Sequence, residues 1–123
     1  MADVREIRIL REWVENIGMT DLPILVEGPK DKRALEEIGV RDVFTLSRKP
    51  LFAVAEEIAS SFDEVIILTD FDKKGKELYG RLAKIFSRLG VKVDTYFRET
   101  LQKHARISHV EGIVTALQTK GVI

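Results

Sequence analysis

Cysteine is absent from the 123-residue chain, and side-chain amides are nearly absent as well, with one Asn and two Gln. Without cysteine the protein has no disulfide, no thiolate nucleophile and no cysteine-based zinc site. The scarcity of Asn and Gln beside many Lys, Arg and Glu is typical of proteins from thermophiles. A high melting temperature is the corresponding hypothesis.

Long apolar runs are missing too, and none approaches the roughly 20 residues that a bilayer-spanning helix needs. The N-terminal segment Met-Ala-Asp-Val-Arg-Glu is charged and lacks the apolar core of a signal peptide. We therefore expect a cytoplasmic protein that has no membrane partner. Basic and acidic residues number 20 each, so the net charge of zero gives no support for nucleic-acid binding unless basic residues gather on one face.

The apolar residues recur at spacings that predict alternating strands and helices. Predicted strands cover residues 23–27, 43–46, 65–68 and 91–96, and predicted helices begin near residues 3, 29, 51 and 74, with a last one near residue 110. This order predicts an α/β fold with a four-stranded, mostly parallel sheet and helices on both faces. We expect a single domain over residues 1–123, with a core at about 20–97, an N-terminal helix at 3–17 and a C-terminal helical extension at 98–123.

The most informative stretch runs from Val65 to Gly75, with the sequence Val-Ile-Ile-Leu-Thr-Asp-Phe-Asp-Lys-Lys-Gly. Asp70 and Asp72 follow a strand predicted to be buried on both faces, at the end where parallel sheets bind ligands. In extended chain their carboxylates point the same way and suit a hard cation. The alternative is structural, with Asp72 capping the next helix and Asp70 closing a turn. This stretch alone leaves both interpretations open.

Glu27 ends the first predicted strand as Asp70 follows the third. In the doubly wound strand order 2-1-3-4 these two strands are neighbours, and their carboxyl ends meet at the topological switch point. Glu27, Asp70 and Asp72 would then converge and repel one another, and a bound Mg²⁺ would relieve the repulsion. All three are candidate metal ligands and catalytic residues.

Basic residues and helix starts flank these acids. Gly28-Pro-Lys-Asp-Lys and Lys73-Lys-Gly-Lys open two predicted helices, and helix N-termini attract phosphate. Lys74, Arg81, Lys84 and Arg88 form a basic stripe, which a solvated helix face explains equally well. The candidates for phosphate or nucleic-acid binding are Gly28, Lys30, Lys32, Lys73, Lys74, Gly75 and Arg81.

The chain resembles the Toprim domain in two segments, Val26-Glu-Gly-Pro-Lys-Asp31 and Thr69-Asp-Phe-Asp-Lys-Lys-Gly75, within roughly residues 20–97. That domain is shared by bacterial primases, type IA and type II topoisomerases, recombination proteins, old-family nucleases and ribosomal-RNA-maturing ribonucleases. The chain is similar to the small stand-alone Toprim proteins, to the catalytic part of the rRNA-maturing ribonucleases and to the Toprim core of primases.

The resemblance implies a Rossmann-like Toprim fold and Mg²⁺-dependent phosphodiester chemistry on RNA or DNA, with Mn²⁺ as an alternative ion. It makes Glu27 the general acid/base or a metal ligand, and it makes Asp70 and Asp72 the residues that hold Mg²⁺. Primases of this family also carry zinc and helicase-binding modules, for which this chain has no cysteine and no second domain.

By the same resemblance, Gly28 and Gly75 let the backbone approach a phosphate, and Asp31 is a supporting acid. The segment His109-Val-Glu111 is similar to one that follows the core of the rRNA-maturing ribonucleases. Glu111 is therefore a further candidate, and an ordinary exposed helix residue is the alternative.

Several other polar or aromatic residues are expected outside the site. His104 and His109 are five residues apart, which is not the spacing of a metal pair on one helix face, so both are interpreted as surface residues, with contact to a phosphate as the alternative for either. Tyr79 is predicted on the inward side of a helix and Tyr96 at the end of a strand, so neither is placed as a topoisomerase nucleophile. Trp13 is predicted in the core.

Two functions remain open on the sequence. One is a nuclease, in which metal and Glu27 activate water for hydrolysis of a phosphodiester. The other is a non-catalytic module that binds Mg²⁺ and grips nucleic acid or a ribonucleoprotein partner. A phospho-receiver is a third and poorer fit, because it expects an acidic pair after the first strand and a lysine after the last. A protein partner or a second copy of the chain stays open for either function.

Overall fold

Four parallel strands form a sheet at the centre of the molecule, in a computed structural model that describes residues 3–123. The strands are β1 (Ile24–Val26), β2 (Val43–Thr45), β3 (Glu64–Ile67) and β4 (Lys92–Asp94). Their order is β2-β1-β3-β4, and each neighbouring pair is parallel. The predicted order 2-1-3-4 is confirmed, and the sheet predicted as mostly parallel is parallel throughout.

Helices connect the strands and cover both faces of the sheet. They are α1 (Val4–Met19), α2 (Pro29–Glu37), α3 (Leu51–Ala59), α4 (Lys73–Arg88), α5 (Tyr96–Ala105) and α6 (Ile113–Thr119), the last preceded by a 3-10 turn at Val110–Gly112. The first helix, predicted at residues 3–17, continues through Gly18 to Met19. Within residues 3–123, none of the helices has the length and apolar character that crossing a membrane requires.

The alternation of side chains along the strands divides the core into two parts. Ile24, Val26 and Ile66 point to one face, where they pack with residues of α1, α2, α5 and α6. Leu25 and Ile67 point to the other face, against α3 and α4. Because both faces are covered, β1 is buried and apolar throughout, and β3 is buried and apolar from Val65 to Ile67.

The region after β4 differs from the sequence prediction. The strand predicted at 91–96 ends at Asp94, whose carboxylate accepts the N–H of Phe97 at 3.0 Å, and Tyr96 begins α5 rather than ending a strand. Phe97 and Leu101 then lie four residues apart on the buried side of this helix. Trp13 is fully buried as predicted, and its indole N–H donates to the Phe97 carbonyl at 2.8 Å.

Candidate metal centre

Glu27 and Asp70 meet where β1 and β3 end. The two strands are parallel neighbours in register, with Leu25 opposite Ile67, so the residues that follow them emerge at the same edge of the sheet. The Asp70 backbone N–H donates to Glu27 Oε2 at 2.7 Å. This hydrogen bond joins two sites that are 43 residues apart in the chain.

Asp70 and Asp72 share their site with His109. One potential ligand atom from each of the three lies within 4.8 Å of the other two, and His109 Nε2 is 3.3 Å from Asp72 Oδ2. Both aspartates are half-buried, whereas the His109 side chain is more than half exposed. Two carboxylates and one imidazole nitrogen are a donor set that fits a divalent cation.

The backbone around His109 places it beside the aspartates. The Phe71 N–H donates to the Ser108 carbonyl at 2.9 Å, and the Val110 N–H donates to Asp70 Oδ1 at 2.9 Å. These two hydrogen bonds fix the residues on either side of His109 against the loop after β3. The prediction of His109 as an ordinary surface residue missed this, because its neighbours bond to a loop that is distant in sequence.

Each aspartate uses one oxygen for the fold. Asp70 Oδ1 accepts from Val110, and Asp72 Oδ1 accepts the Gly75 N–H at 2.8 Å as the N-cap of α4. The helix-cap interpretation of Asp72 is therefore confirmed. It does not exclude metal binding, because Oδ2 of each aspartate takes no part in these two hydrogen bonds, and Asp72 Oδ2 faces His109 Nε2 at 3.3 Å.

Glu27 belongs to a neighbouring pocket of about 530 Å³ that we call the acidic pocket. Its lining residues are Glu27, Gly28, Pro29, Lys30, Asp31, Arg33, Asp70 and Glu111. Asp70 thus lies between the cluster with His109 on one side and Glu27 on the other. Glu111, the further candidate from sequence, is exposed and faces this pocket.

Asp31 is the buried acid of this pocket. Its carboxylate accepts the Gly28 N–H at 3.0 Å as part of the capping box of α2, and the residue is 8% exposed. Burial, and then the charge of Asp70, raises the pKa of Asp31 to about 6. Glu27 and Glu111 add to this shift, whereas the Gly28 hydrogen bond opposes it. Negative charge is therefore concentrated here beyond what the folded chain compensates.

Arg98 is a buried residue that holds the backbone of the site in place, and it was not identified from sequence. Its guanidinium donates to the Thr69 carbonyl at 2.6 Å and to the Asp70 carbonyl at 3.0 Å, and it lies 4.6 Å from the ring centres of both Phe71 and Tyr79. Burial lowers the pKa of Arg98. These two hydrogen bonds from the planar guanidinium fix the backbone that carries Asp70. They also hold a positive charge close to the acidic side chains.

The two candidate glycines have different surroundings. A Cβ at Gly75 would overlap the Asp70 backbone, and Thr69 Oγ1 donates to the Gly75 carbonyl at 2.7 Å. Glycine is thus required there so that α4 can pack against Asp70, and its N–H is already bonded to Asp72. A Cβ at Gly28 would meet nothing within 4 Å, which leaves the backbone accessible from the acidic pocket.

The predicted phosphate-binding cations separate into groups. Lys74 and Arg81 line a second pocket of about 500 Å³, which we call the α4 pocket, and Lys30 lines the acidic pocket. Lys32 is half-buried and Lys73 is exposed, and neither lines one of these two pockets. Arg48 and Lys49, in the loop after β2, join Lys74 and Arg81 and were not identified from sequence.

Two residues that were expected outside the site, His104 and Tyr96, contact α1. The His104 side chain is mostly buried, 3.6 Å from the Glu6 carboxylate of α1, which corrects its interpretation as a surface residue. The Tyr96 hydroxyl accepts a hydrogen bond from Asn16, also in α1. Both contacts are with the helix on the side of the molecule away from α4.

A sequence model of the Toprim domain matches residues 23–111. The match includes Glu27, Asp70 and Asp72, and it extends past the limit of about 97 expected from sequence to include His109. The chain belongs to the Toprim family, whose domain implies a metal-binding, nucleic-acid-related function.

Two archaeal relatives and one solved structure are similar over most of the chain. A UPF0292 protein of Pyrococcus abyssi is 42% identical over 107 residues, covering 86% of this chain and 80% of its own. A UPF0292 protein of Methanocaldococcus jannaschii is 38% identical, covering 75% of each chain. A protein of Aquifex aeolicus has a solved structure with a TM-score of 0.77 and 33% identity, covering 83% of this chain and 95% of its own.

Proposed function

We propose that this protein hydrolyses phosphodiester bonds of RNA or DNA with a divalent cation, Mg²⁺ being the expected ion and Mn²⁺ the alternative. The observation that supports this most is the placement of Asp70, Asp72 and His109 around one point, beside Glu27. A cluster of potential metal ligands next to a carboxylate, of which only Oε2 is bonded to Asp70, is an arrangement suited to metal-dependent phosphodiester hydrolysis.

Glu27 is the proposed general base. The Asp70 N–H holds Oε2, so the side chain is oriented while Oε1 remains available to take the proton of an attacking water. Asp70 Oδ2, Asp72 Oδ2 and His109 Nε2 are the proposed metal ligands. The cation, when bound, polarises the phosphate and lowers the pKa of a coordinated water.

Amide variants test these roles because they remove a charge and keep the hydrogen bonds of the fold. An Asn at position 70 still accepts from Val110, and a Gln at position 27 still accepts from Asp70. We expect Asp70→Asn and Glu27→Gln each to lower Mg²⁺-dependent cleavage about a hundredfold or more. Asp21→Asn and Glu56→Gln, at exposed positions, are the matched controls.

The assay compares single-stranded, duplex and structured RNA and DNA in the presence of Mg²⁺ or Mn²⁺. Equal cleavage by the wild type and Asp70→Asn would remove this site assignment. Metal binding is measured separately by titration calorimetry, so that a protein that binds metal without cleaving can be recognised.

A non-catalytic binding module is the second candidate, and one observation favours it. Glu27, Asp70 and Asp72 each accept a backbone N–H hydrogen bond, so all three acids have structural roles without any chemistry. This function predicts metal binding and salt-sensitive binding of nucleic acid, with no cleavage of any substrate in the panel.

A further inference from the structure

The α4 pocket shares Glu27, Gly28 and Pro29 with the acidic pocket but extends in a different direction. It opens between the first turns of α4 and the loop that joins β2 to α3. Its volume of about 500 Å³ is within the range of small-ligand sites. Anything bound there lies directly beside the proposed general base.

One wall of the α4 pocket is aliphatic. Leu46 is 5% exposed, and Leu51 and Leu78 are half-buried, and all three pack in the core between α3, α4 and the sheet. Pro29 and Pro50 extend this apolar surface. A wall continuous with the core offers a fixed apolar surface to the flat face of a ligand ring.

The rim of the α4 pocket is cationic. Arg48, Lys49, Lys74 and Arg81 are all exposed, and the ion pairs found among residues 3–123 involve none of them. Glu27 is the only acidic residue in the lining. Four cations without carboxylate partners, above an apolar wall, suit a ligand that carries both phosphate and an apolar ring.

The loop that carries two of these cations is tied to the site. Ser47 and Arg48 have positive φ values of 42° and 65°, a conformation that is strained for residues other than glycine. The Ser47 N–H donates to the Glu27 carbonyl at 3.0 Å, and the Lys49 N–H donates to the Leu46 carbonyl at 2.8 Å. The hydrogen bond to Glu27 couples the position of Arg48 to that of the proposed base.

We propose that the α4 pocket binds one unpaired nucleotide of a single strand, with its base on the aliphatic wall and its phosphates on the cationic rim. This inference rests on the proposed function and names its substrate class, because the strand would continue past Glu27 to the metal centre. A base in a duplex cannot reach the wall without unpairing and leaving its stack, which is energetically unfavourable. The pocket therefore selects single-stranded regions or ends.

Fluorescence anisotropy tests the proposal with a labelled single-stranded 10-mer and the blunt duplex of the same sequence, each made as RNA and as DNA. The measurement is made in a chelator, so the result does not depend on metal binding or cleavage. We expect the 123-residue protein to bind the single strand about tenfold or more tightly than the duplex, since the duplex must first unpair.

Two sets of variants separate the wall from the rim. Arg48→Ala with Lys49→Ala should weaken single-strand binding about tenfold and flatten its salt dependence by about 1.4, the value for two phosphate contacts. Leu78→Ala should weaken binding with an unchanged salt slope, provided circular dichroism shows that the variant is folded. Arg5→Ala with Arg8→Ala removes the same charge from exposed positions of α1 and should change neither quantity.

Three outcomes would overturn the proposal: equal binding of strand and duplex, equal effects of the two arginine-containing double variants, or displacement of the strand by a free nucleoside triphosphate that binds more tightly than the strand. The last would assign the pocket to free nucleotides. Failure of the proposed catalytic function is recognised independently, because metal titration and cleavage are measured on the same protein without the labelled strand.

Discussion

His109 adds an imidazole nitrogen to a centre whose other proposed ligands are oxygens. Imidazole favours transition metals such as Ni²⁺ much more than it favours Mg²⁺. We expect His109→Ala to weaken Ni²⁺ binding to the untagged protein by about tenfold or more, and to change Mg²⁺ binding much less. Titration calorimetry with each ion measures both affinities.

His104→Ala is the matched control, because His104 lies beside Glu6 and outside the cluster. If His109→Ala weakened the binding of both ions by the same factor, His109 would act by holding Asp72 in position and would not be a ligand.

Asp31 makes the folded protein less stable as the pH rises, whereas most carboxylates in proteins have the opposite effect. The folded protein retains the Asp31 proton up to about pH 6, whereas the unfolded chain releases it near 3.8, so stability falls as the pH rises between these values. Asp31→Asn keeps an acceptor for the Gly28 N–H and removes the charge. In metal-free buffer we expect it to raise the melting temperature by about 5 °C or more at about pH 8 and to have little effect at about pH 4.

Asp21→Asn, at an exposed position, should leave the melting temperature unchanged at both pH values. An equal rise at acidic and alkaline pH for Asp31→Asn would mean that the gain does not come from removing a buried charge.

At the scale of elements, α4 contains two glycines, and their surroundings predict opposite effects of an alanine substitution on stability. Gly75 presses against the Asp70 backbone, whereas Gly80 is exposed and a Cβ added there would meet nothing within 4 Å. We expect Gly75→Ala to lower the free energy of unfolding by about 1–3 kcal/mol or more, because the first turn of α4 must move. Gly80→Ala should raise it by about 0.5–1 kcal/mol through helix propensity.

Urea unfolding followed by circular dichroism measures both changes. Metal titration of the same proteins should detect displacement of Asp72 only in Gly75→Ala. Equal effects of the two substitutions on stability would contradict the close packing of α4 on Asp70.

Sequence reasoning expected helices over residues 98–123 but assigned Tyr96, the first residue of α5, to a strand. The alternating run Val91-Lys-Val-Asp-Thr-Tyr96 suggested a strand, but the Asp94 carboxylate accepts the N–H of Phe97, the first buried residue of a helix. Because of this error Arg98 was expected just beyond the end of a strand, where a buried guanidinium is not predicted. By contrast, the continuous apolar runs of β1 and β3 predicted the two central strands correctly.

At the scale of the whole molecule, zero net charge does not mean that opposite charges are paired. The ion pairs among residues 3–123 join His104 and Lys120 to Glu6, and His109 to Asp72. The thermophile hypothesis stays a prediction, and ion-pair networks of the kind seen in such proteins are limited in the described chain to the one around Glu6. The acids of the metal centre and of the acidic pocket lie together at one edge of the sheet, and Lys30 and Arg33 line the same pocket.

The doubly wound strand order allowed the meeting of Glu27 and Asp70 to be predicted, since it follows from topology. The positions of His109, Arg48 and Lys49 were not predictable in that way. Each lies on a connecting segment that is positioned by backbone hydrogen bonds to a distant loop, and such bonds leave no periodic pattern in the sequence.

The hydrogen bonds between the segment 108–110 and the Asp70–Phe71 loop have a consequence for local unfolding. A protein unfolds locally in cooperative units. Two segments that each donate a hydrogen bond to the other are therefore expected to unfold together. The Phe71 and Val110 amides should therefore exchange with solvent at one common rate. The loop that carries the aspartates would then stay closed only while the C-terminal part of the chain remains docked, so that release of the tail also dismantles the metal centre.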